Sequence, residues 1–337
     1  MKAAFISGVR GQDGAYLAQL LLEKGYHVHG GVRGEADAAD NRLMRLGIDG
    51  DVQTHEFDLT DPDAIVRLLD STRIDEFYNL AAQSFVGTSW DRPIETVETN
   101  GVGVVRILDG LRSHAPDARF YQASTSEMFG QVQEIPQRET TRFYPRSPYG
   151  AAKAFAHYIT RNYRESYGMH ASSGILFNHE SPLRGPEFVT RKITLGLAAI
   201  AHGGSDPIRL GNLDARRDWG FAGDYVRGIW MMLQQDVADD YVLATGVTST
   251  IRDFVSHAAD ALDFDLEWSG EGLDETATDR RTGRRIIEVA EEFFRPAEVD
   301  VLIGDATKAR EVLGWTPQVE VRGLAQIMAK SDYDALA

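Results

Sequence analysis

The chain contains no cysteine. That excludes disulfide staples and thiolate metal sites, and nothing in it calls for an oxidising compartment. No apolar run approaches the roughly 20 residues that span a bilayer. Positive charge is scarce: 35 Lys and Arg stand against 51 Asp and Glu, a formal net charge of -16. This balance argues against nucleic acid and anionic membranes as partners. An anionic ligand would need a few locally placed arginines to overcome the sign of the whole. Internal repeats, low-complexity tracts and long linkers are also missing. Met1 leads directly into an apolar strand pattern, which leaves no room for a secretory leader, so the expected location is the cytoplasm.

What is present is alternation. With 337 residues, the chain suffices for one large α/β unit or two closely joined domains. Ala3-Ala4-Phe5-Ile6 reads as a buried parallel strand. Gly8, Gly11 and Gly14 follow, then a helical pattern over residues 16–25 with a glycine stop, then a strand at residues 26–30. Strand, glycine turn, helix, strand is a βαβ unit that receives a dinucleotide's phosphates at a helix N-terminus. Further strands are expected at residues 77–84 and 119–124, with helices at 63–69 and 101–111. The pattern implies a Rossmann-type doubly wound parallel sheet, with ligands at the strands' C-terminal ends. Beyond Asn178 the alternation loosens. The expected division is a dinucleotide-binding domain of residues 1–178 plus about 213–244, and a smaller α/β substrate lobe of 179–212 plus about 245–337.

Ser124-Thr125-Ser126-Glu127 closes one of these strands, and Tyr149-Gly150-Ala151-Ala152-Lys153 follows at a helix start marked by Pro148. Tyr and Lys four apart share a helix face. A Lys ammonium beside a phenol is expected to lower the phenol's pKa, making Tyr149 a base. The Thr125 hydroxyl can hold a sugar oxygen, and Glu127 adds a separate acid/base. Two bases exceed what a simple dehydrogenase needs and suit oxidation coupled to elimination. A Tyr-x-x-x-Lys spacing alone means little in a chain with 12 tyrosines, where a surface helix pair is the bland reading. Its weight comes from the glycine loop and the Ser-Thr-Ser-Glu strand end.

These residues resemble the extended short-chain dehydrogenase/reductase superfamily and, within it, the GDP-mannose 4,6-dehydratase family. The resemblance covers essentially the whole chain. Among the runs that carry it are Gly11-Gln12-Asp13-Gly14-Ala15-Tyr16-Leu17, Tyr78-Asn79-Leu80-Ala81-Ala82-Gln83-Ser84, Ile175-Leu176-Phe177-Asn178-His179-Glu180-Ser181-Pro182 and Phe293-Phe294-Arg295-Pro296-Ala297-Glu298-Val299. It implies a hydro-lyase converting GDP-D-mannose to GDP-4-keto-6-deoxy-D-mannose, assembled as a homodimer or homotetramer. Tyr149 would take the proton of the 4-hydroxyl, with Lys153 tuning it and Thr125 holding O4. Hydride would pass from C4 to NADP. Glu127 would remove the acidified C5 proton as water leaves C6, and the hydride would return to C6. The single acid after Ser126 fits this family; relatives acting on dTDP-glucose carry Asp-Glu there.

The resemblance assigns Gly8, Arg10, Gly11, Gln12, Asp13, Gly14, Arg33, Asp58, Leu59, Leu80, Ala81, Ala82 and Gln83 to the cofactor, with Tyr149, Lys153, His179 and Arg184. To the substrate it assigns Ser84, Thr125, Ser126, Glu127, Asn178, Val189, Lys192, Gly211, Arg216, Arg295 and Glu298. Arg10 and Arg33 favour NADP, because a 2'-phosphate needs cationic donors; Glu35 pulls the other way. No metal is expected. His27 and His29 share a strand face, but packed histidines are the common case. Residues 236–240 read as a solvated acidic stretch, and Trp230-Met231-Met232-Leu233 as helix core. Residues 305–315 read as a capped helix ending at Gly314. A reductase or epimerase on the same scaffold would keep Tyr149 and Lys153 without needing Glu127. An idle NADP-binding protein would be expected to have lost one of the three.

Overall fold

The computed structural model describes residues 1–34, 41–293 and 302–337. Its centre is a seven-stranded sheet in the order Asp240–Leu243, Ala171–Leu176, Arg119–Thr125, Glu76–Asn79, Ala3–Ser7, His27–Val32, Gln53–Glu56. Every neighbouring pair is parallel. The order reverses beside Ala3–Ser7, which is where ligands bind in such sheets.

The period of two along each strand decides which side chains meet. Phe5 is opposite Phe77, and Phe77 opposite Phe120. Their rings lie 5.0 and 6.0 Å apart on one face. The next residues along, Ile6, Tyr78 and Tyr121, turn to the other face. The phenylalanine face is covered by the helices Pro62–Ser71, Gly103–His114 and Pro148–Tyr167. The tyrosine face is covered by Gln12–Glu23 and Ala222–Met232. Both faces are therefore dry, as a parallel sheet requires.

The first helix begins at Gln12, four residues earlier than its sequence pattern suggests. Gly14 belongs to it: a Cβ there would sit 2.3 Å from the Gly8 carbonyl oxygen, so only glycine lets this turn close on the strand end. The Pro148–Tyr167 helix matches its sequence signals. Ser147 Oγ accepts from Gly150 N at 3.0 Å, Pro148 opens it, and Gly168 closes it at φ 68°.

A second sheet has four strands, Leu266–Ser269, Thr276–Asp279, Arg284–Val289 and Ile208–Leu210. The helices Val189–Ala201, Ile251–Asp260 and Val321–Asp334 pack on it around Leu197, Phe254, Ile287 and Met328. Between its first and later strands the chain runs back through Trp219–Phe221 and Ala222–Met232 to supply Asp240–Leu243 to the large sheet. Asp305 caps the segment before Gly314, accepting from Thr307 N at 3.0 Å. The acidic stretch departs from its expectation as a solvated surface. Asp236 is exposed, but Asp240 is buried on the edge strand, gripped by both Arg164 nitrogens at 2.9 and 3.0 Å.

Candidate active site

At the point where the strand order reverses lies a cleft of about 410 Å³. Its floor is the glycine turn. Gly8 has φ +72°, and a Cβ on it would meet the Ala81 backbone at 3.0 Å. Gly11 stands at the N-cap of the first helix without a side-chain cap, so the opening amides face the cleft. Arg10 lines it too, and among the described residues its buried Nε finds no partner. Gln12, Asp13, Gly14, Arg33, Asp58, Leu59, Leu80, Ala81, Ala82 and Arg184 also border it. Ser7 Oγ accepts from the amides of Leu80 and Ala81, both at 3.1 Å, and fixes that wall.

Other assignments fall elsewhere. Ser84, assigned to the substrate, borders this cleft, whereas Gln83 does not. Gln83 is clamped by Asn100, which accepts from its N and donates to its O, each at 2.9 Å. Gly31, Val32, Arg42, Phe57 and Thr99 line the cleft without having been foreseen. Val32 adjoins the foreseen Arg33, so extending that motif by one residue would have found it. Arg42 has no local signal. Its Nε donates to Leu183 O at 2.6 Å and Nη1 to Arg10 O at 3.2 Å, contacts made only by folding.

The second constellation is built from the Arg119–Thr125 strand end and the Pro148–Tyr167 helix. Thr125 Oγ1 accepts from Glu127 N at 3.2 Å and hydrogen-bonds the Tyr149 phenol. Lys153 Nζ donates to Ala123 O at 3.0 Å and lies 5.9 Å from the Tyr149 ring centre. Burial governs the charges here. It pushes the Tyr149 phenol up to about 12, against the Thr125 hydrogen bond, and Glu127's charge adds to the rise. It pulls the Lys153 ammonium down to about 8, against the charge of Asp13. The expected lowering of the phenol by the ammonium does not occur. Both groups are enclosed, so desolvation opposes both charged forms, and the ammonium is turned to a carbonyl. Burial also raises the Glu127 carboxyl above its ordinary value, with Arg217 opposing. Ser126 beside it is buried.

Asn178 and His179 lie on the strand Asn178–Glu180, which pairs with Trp219–Phe221. The His179 ring stacks on Tyr225 at 4.7 Å. Arg184 pairs with Glu180 at 3.0 Å and sits 3.5 Å over the Phe188 ring. Val189 and Lys192 open the Val189–Ala201 helix. Lys192 Nζ lies 3.7 Å over Phe293, whose carbonyl oxygen would be 2.1 Å from a Cβ on Gly211. Lys192 and Gly211 thus converge on one residue. Arg216 is drawn instead to Thr248, with Nε 3.2 Å from its Oγ1. Arg295 and Glu298, and Glu35 on the cofactor side, lie outside the described residues. His29 is hydrogen-bonded to His55 at 3.0 Å, and the described residues contain no group of three possible metal ligands. Met232 and Leu233 are fully buried, with Trp230 packed against the same core.

Comparison with known proteins adds a separate line of support. The family model described as GDP-mannose 4,6 dehydratase matches residues 5–328. The chain is 52% identical to a GDP-mannose 4,6-dehydratase of Sinorhizobium fredii, covering 99% of this chain and 97% of that one. With the human GDP-mannose 4,6 dehydratase it shares 46% identity over 99% and 92% of the two. Solved structures extend the likeness to fold alone. A UDP-glucose 4-epimerase of Thermotoga maritima superposes with a TM-score of 0.82 at 21% identity, covering 99% of this chain and all 100% of that one. A dTDP-glucose 4,6-dehydratase of Bacillus anthracis, solved with NAD, gives 0.80 at 18%, covering 98% and 96%. With its glycine-floored cleft and its Thr125, Glu127, Tyr149 and Lys153 cluster at the same end of the sheet, the chain belongs to the GDP-mannose 4,6-dehydratase family.

Proposed function

We propose that the protein dehydrates GDP-D-mannose to GDP-4-keto-6-deoxy-D-mannose, using bound NADP, as a homo-oligomer in the cytoplasm. The observation that carries this is Glu127. It adds a half-buried carboxyl with a raised pKa to a Thr-Tyr-Lys group that could oxidise an alcohol without it. A dinucleotide suits the cleft: the glycine backbone leaves room that any Cβ would fill, and the uncapped helix amides and Arg10 offer donors to phosphates. When bound, the nicotinamide supplies a reversible hydride store between sugar C4 and C6. NADP over NAD rests on Arg10 and Arg33 along the cleft, with Arg42 beside them.

In this reading Thr125 holds O4 and Tyr149 Oη takes the 4-hydroxyl proton. A phenol raised to about 12 is a strong base once ionised, and the Lys153 ammonium, 5.9 Å from the ring, is the cation that would favour ionisation if it left the Ala123 carbonyl. Glu127 then takes the C5 proton, acidified by the new ketone, and gives a proton to the departing 6-hydroxyl. Burial moves its pKa upward, the direction that helps a carboxylate accept a proton. Lys192, Arg216 and Arg295 would hold the GDP moiety, Lys192 and Arg295 from the lobe assigned to the nucleotide sugar. For the oligomer, Trp90, Ile94, Phe155 and Tyr158 expose large apolar surfaces on neighbouring helices, a face suited to a second copy.

The test is incubation of the purified chain with GDP-mannose and no added reductant. A 4-keto-6-deoxy product is expected. Consumption only with added reductant, or epimerisation without loss of water, would favour the reductase or epimerase alternative, and no turnover the idle binding protein.

A further inference from the structure

One partly buried ion pair links the proposed cofactor cleft to the second half of the chain. His179 Nδ1 lies 2.7 Å from Phe177 O, and Nε2 lies 2.8 Å from Asp13 Oδ2. A carbonyl and a carboxylate offer only lone pairs, so both ring nitrogens must donate. A neutral imidazole would point a lone pair at one of these oxygens. Asp13 Oδ1 meanwhile accepts from Gln12 Nε2 at 3.0 Å, so both carboxylate oxygens are engaged as acceptors. Gln12 Nε2 also donates to His179 O at 3.1 Å, and its Oε1 accepts from Ser181 Oγ at 2.8 Å. The first turn of the Gln12–Glu23 helix is thus stitched to residues 178–181, with the His179 ring held flat on Tyr225.

Asp13 sits in the first helical turn and borders the cleft. Alone, its negative charge would repel a diphosphate arriving at the same helix N-terminus. We propose that the His179 imidazolium is a positioning residue that neutralises Asp13 at the glycine-loop helix, so that cofactor affinity depends on the charge of His179. This rests on the dinucleotide reading of the cleft.

Electrostatics around the pair agree. Burial disfavours the His179 cation, yet the Asp13 charge and the two hydrogen bonds hold its pKa above the ordinary value, with Arg184 opposing. Asp13 is held below its ordinary value against burial, chiefly by His179, with Arg184 assisting. Tyr225 faces His179 from the Ala222–Met232 helix. Tyr121, Tyr149 and Lys153 feel the Asp13 charge from the sheet and the catalytic helix. The pair is therefore intact between the ordinary carboxylate and imidazole ranges. It is lost as pH rises through the raised His179 value, and at the acid end as pH falls through the lowered Asp13 value.

The experiment is fluorescence titration of the cofactor-stripped full chain with NADPH from pH 7 to 10, alongside ¹⁵N NMR of the His179 ring. Affinity should fall at the alkaline end as His179 loses its proton, and both ring nitrogens should be protonated at pH 7. His179→Gln should weaken binding at pH 7 by about tenfold or more, the scale of breaking a partly buried charge pair beside a charged ligand, and flatten the alkaline loss. Asp13→Asn combined with His179→Gln should return to within about threefold of the parent, since no uncompensated charge then remains. Lys153→Met should retain the alkaline loss, which separates His179 from the lysine titrating near 8. A neutral His179 ring at pH 7, or a double variant as weak as His179→Gln, would overturn the proposal. The wild-type profile and the NMR need no variant to fold. A wild type that binds neither NADPH nor NADH would sink the dinucleotide reading itself, whereas binding of NADPH without these dependences sinks only the role of the pair.

Discussion

Burial sets the acid–base character of Glu127, Tyr149 and Lys153 more than their mutual charges do. Each is displaced toward its neutral form. Tyr149 and Glu127 should therefore fail differently when changed. Tyr149→Phe should block reduction of the bound cofactor. Glu127→Gln should permit it while lowering product formation by about 10²–10⁴-fold, the usual share of a general acid/base. Single-turnover absorbance in the reduced-nicotinamide band followed by product analysis separates the two. Normal turnover by Glu127→Gln would remove the lyase mechanism. Because Glu127 must be ionised to accept the C5 proton, the acid limb of kcat should lie above the ordinary carboxylate range and vanish in that variant. Arg33 carries the other residue-scale claim. Arg33→Ala should weaken NADP by about tenfold or more, the scale of a hydrogen bond to a charged group, and leave NAD nearly unchanged. Equal losses for both cofactors would place Arg33 away from the 2'-phosphate.

Among the elements, the Asp240–Leu243 edge strand shows what folding adds to the sequence. Asp240 is 6% exposed, gripped by Arg164 on the Pro148–Tyr167 helix and 3.7 Å from His157 Nε2. Burial alone would raise its pKa, but Arg164 and His157 hold it below the ordinary value. Its contribution to stability is present above the unfolded carboxylate value and is lost as pH falls through the folded one. Asp240→Asn should destabilise the fold by about 3 kcal/mol, because the half-buried Arg164 loses its charged partner. Urea unfolding at pH 7 measures this, and a change below about 1 kcal/mol would mean the pair acts as an exposed one. An acidic run with no nearby basic residue reads as surface, since Arg164 is 76 residues away. The same limit hid Arg42, and it placed the first helix four residues late, because Gly14 is demanded by a close approach to Gly8 and not by any local turn. What the sequence makes legible is what repeats locally: the period of two in Phe5, Phe77 and Phe120, the Ser147-Pro148 cap, the glycine turn and the Ser-Thr-Ser-Glu strand end. Charge balance in a buried site depends on enclosure, so the lowered phenol expected from spacing alone gave way to a raised one.

At the scale of the molecule, a chain of net charge -16 gathers Arg10, Arg33, Arg42 and Arg184 around one cleft, reversing its overall sign where phosphates are proposed to bind. The apolar face of Ile94, at 79% exposure, and Phe155, at 47%, is where a second copy is proposed to dock. If the proposed homo-oligomer forms through this face, Ile94→Asp with Phe155→Asp should shift it to smaller species in sedimentation velocity. An unchanged distribution would put the contact elsewhere. The central claim is that oxidation at C4 and reduction at C6 share one hydrogen, held within one closed site by Thr125, Tyr149, Lys153 and Glu127. Supplying GDP-mannose labelled with deuterium at C4 and locating the label in the product tests this most directly. The expected result is deuterium at C6, with C5 taking hydrogen from water through Glu127. Deuterium retained at C4, or released to solvent with an unlabelled C6, would contradict it.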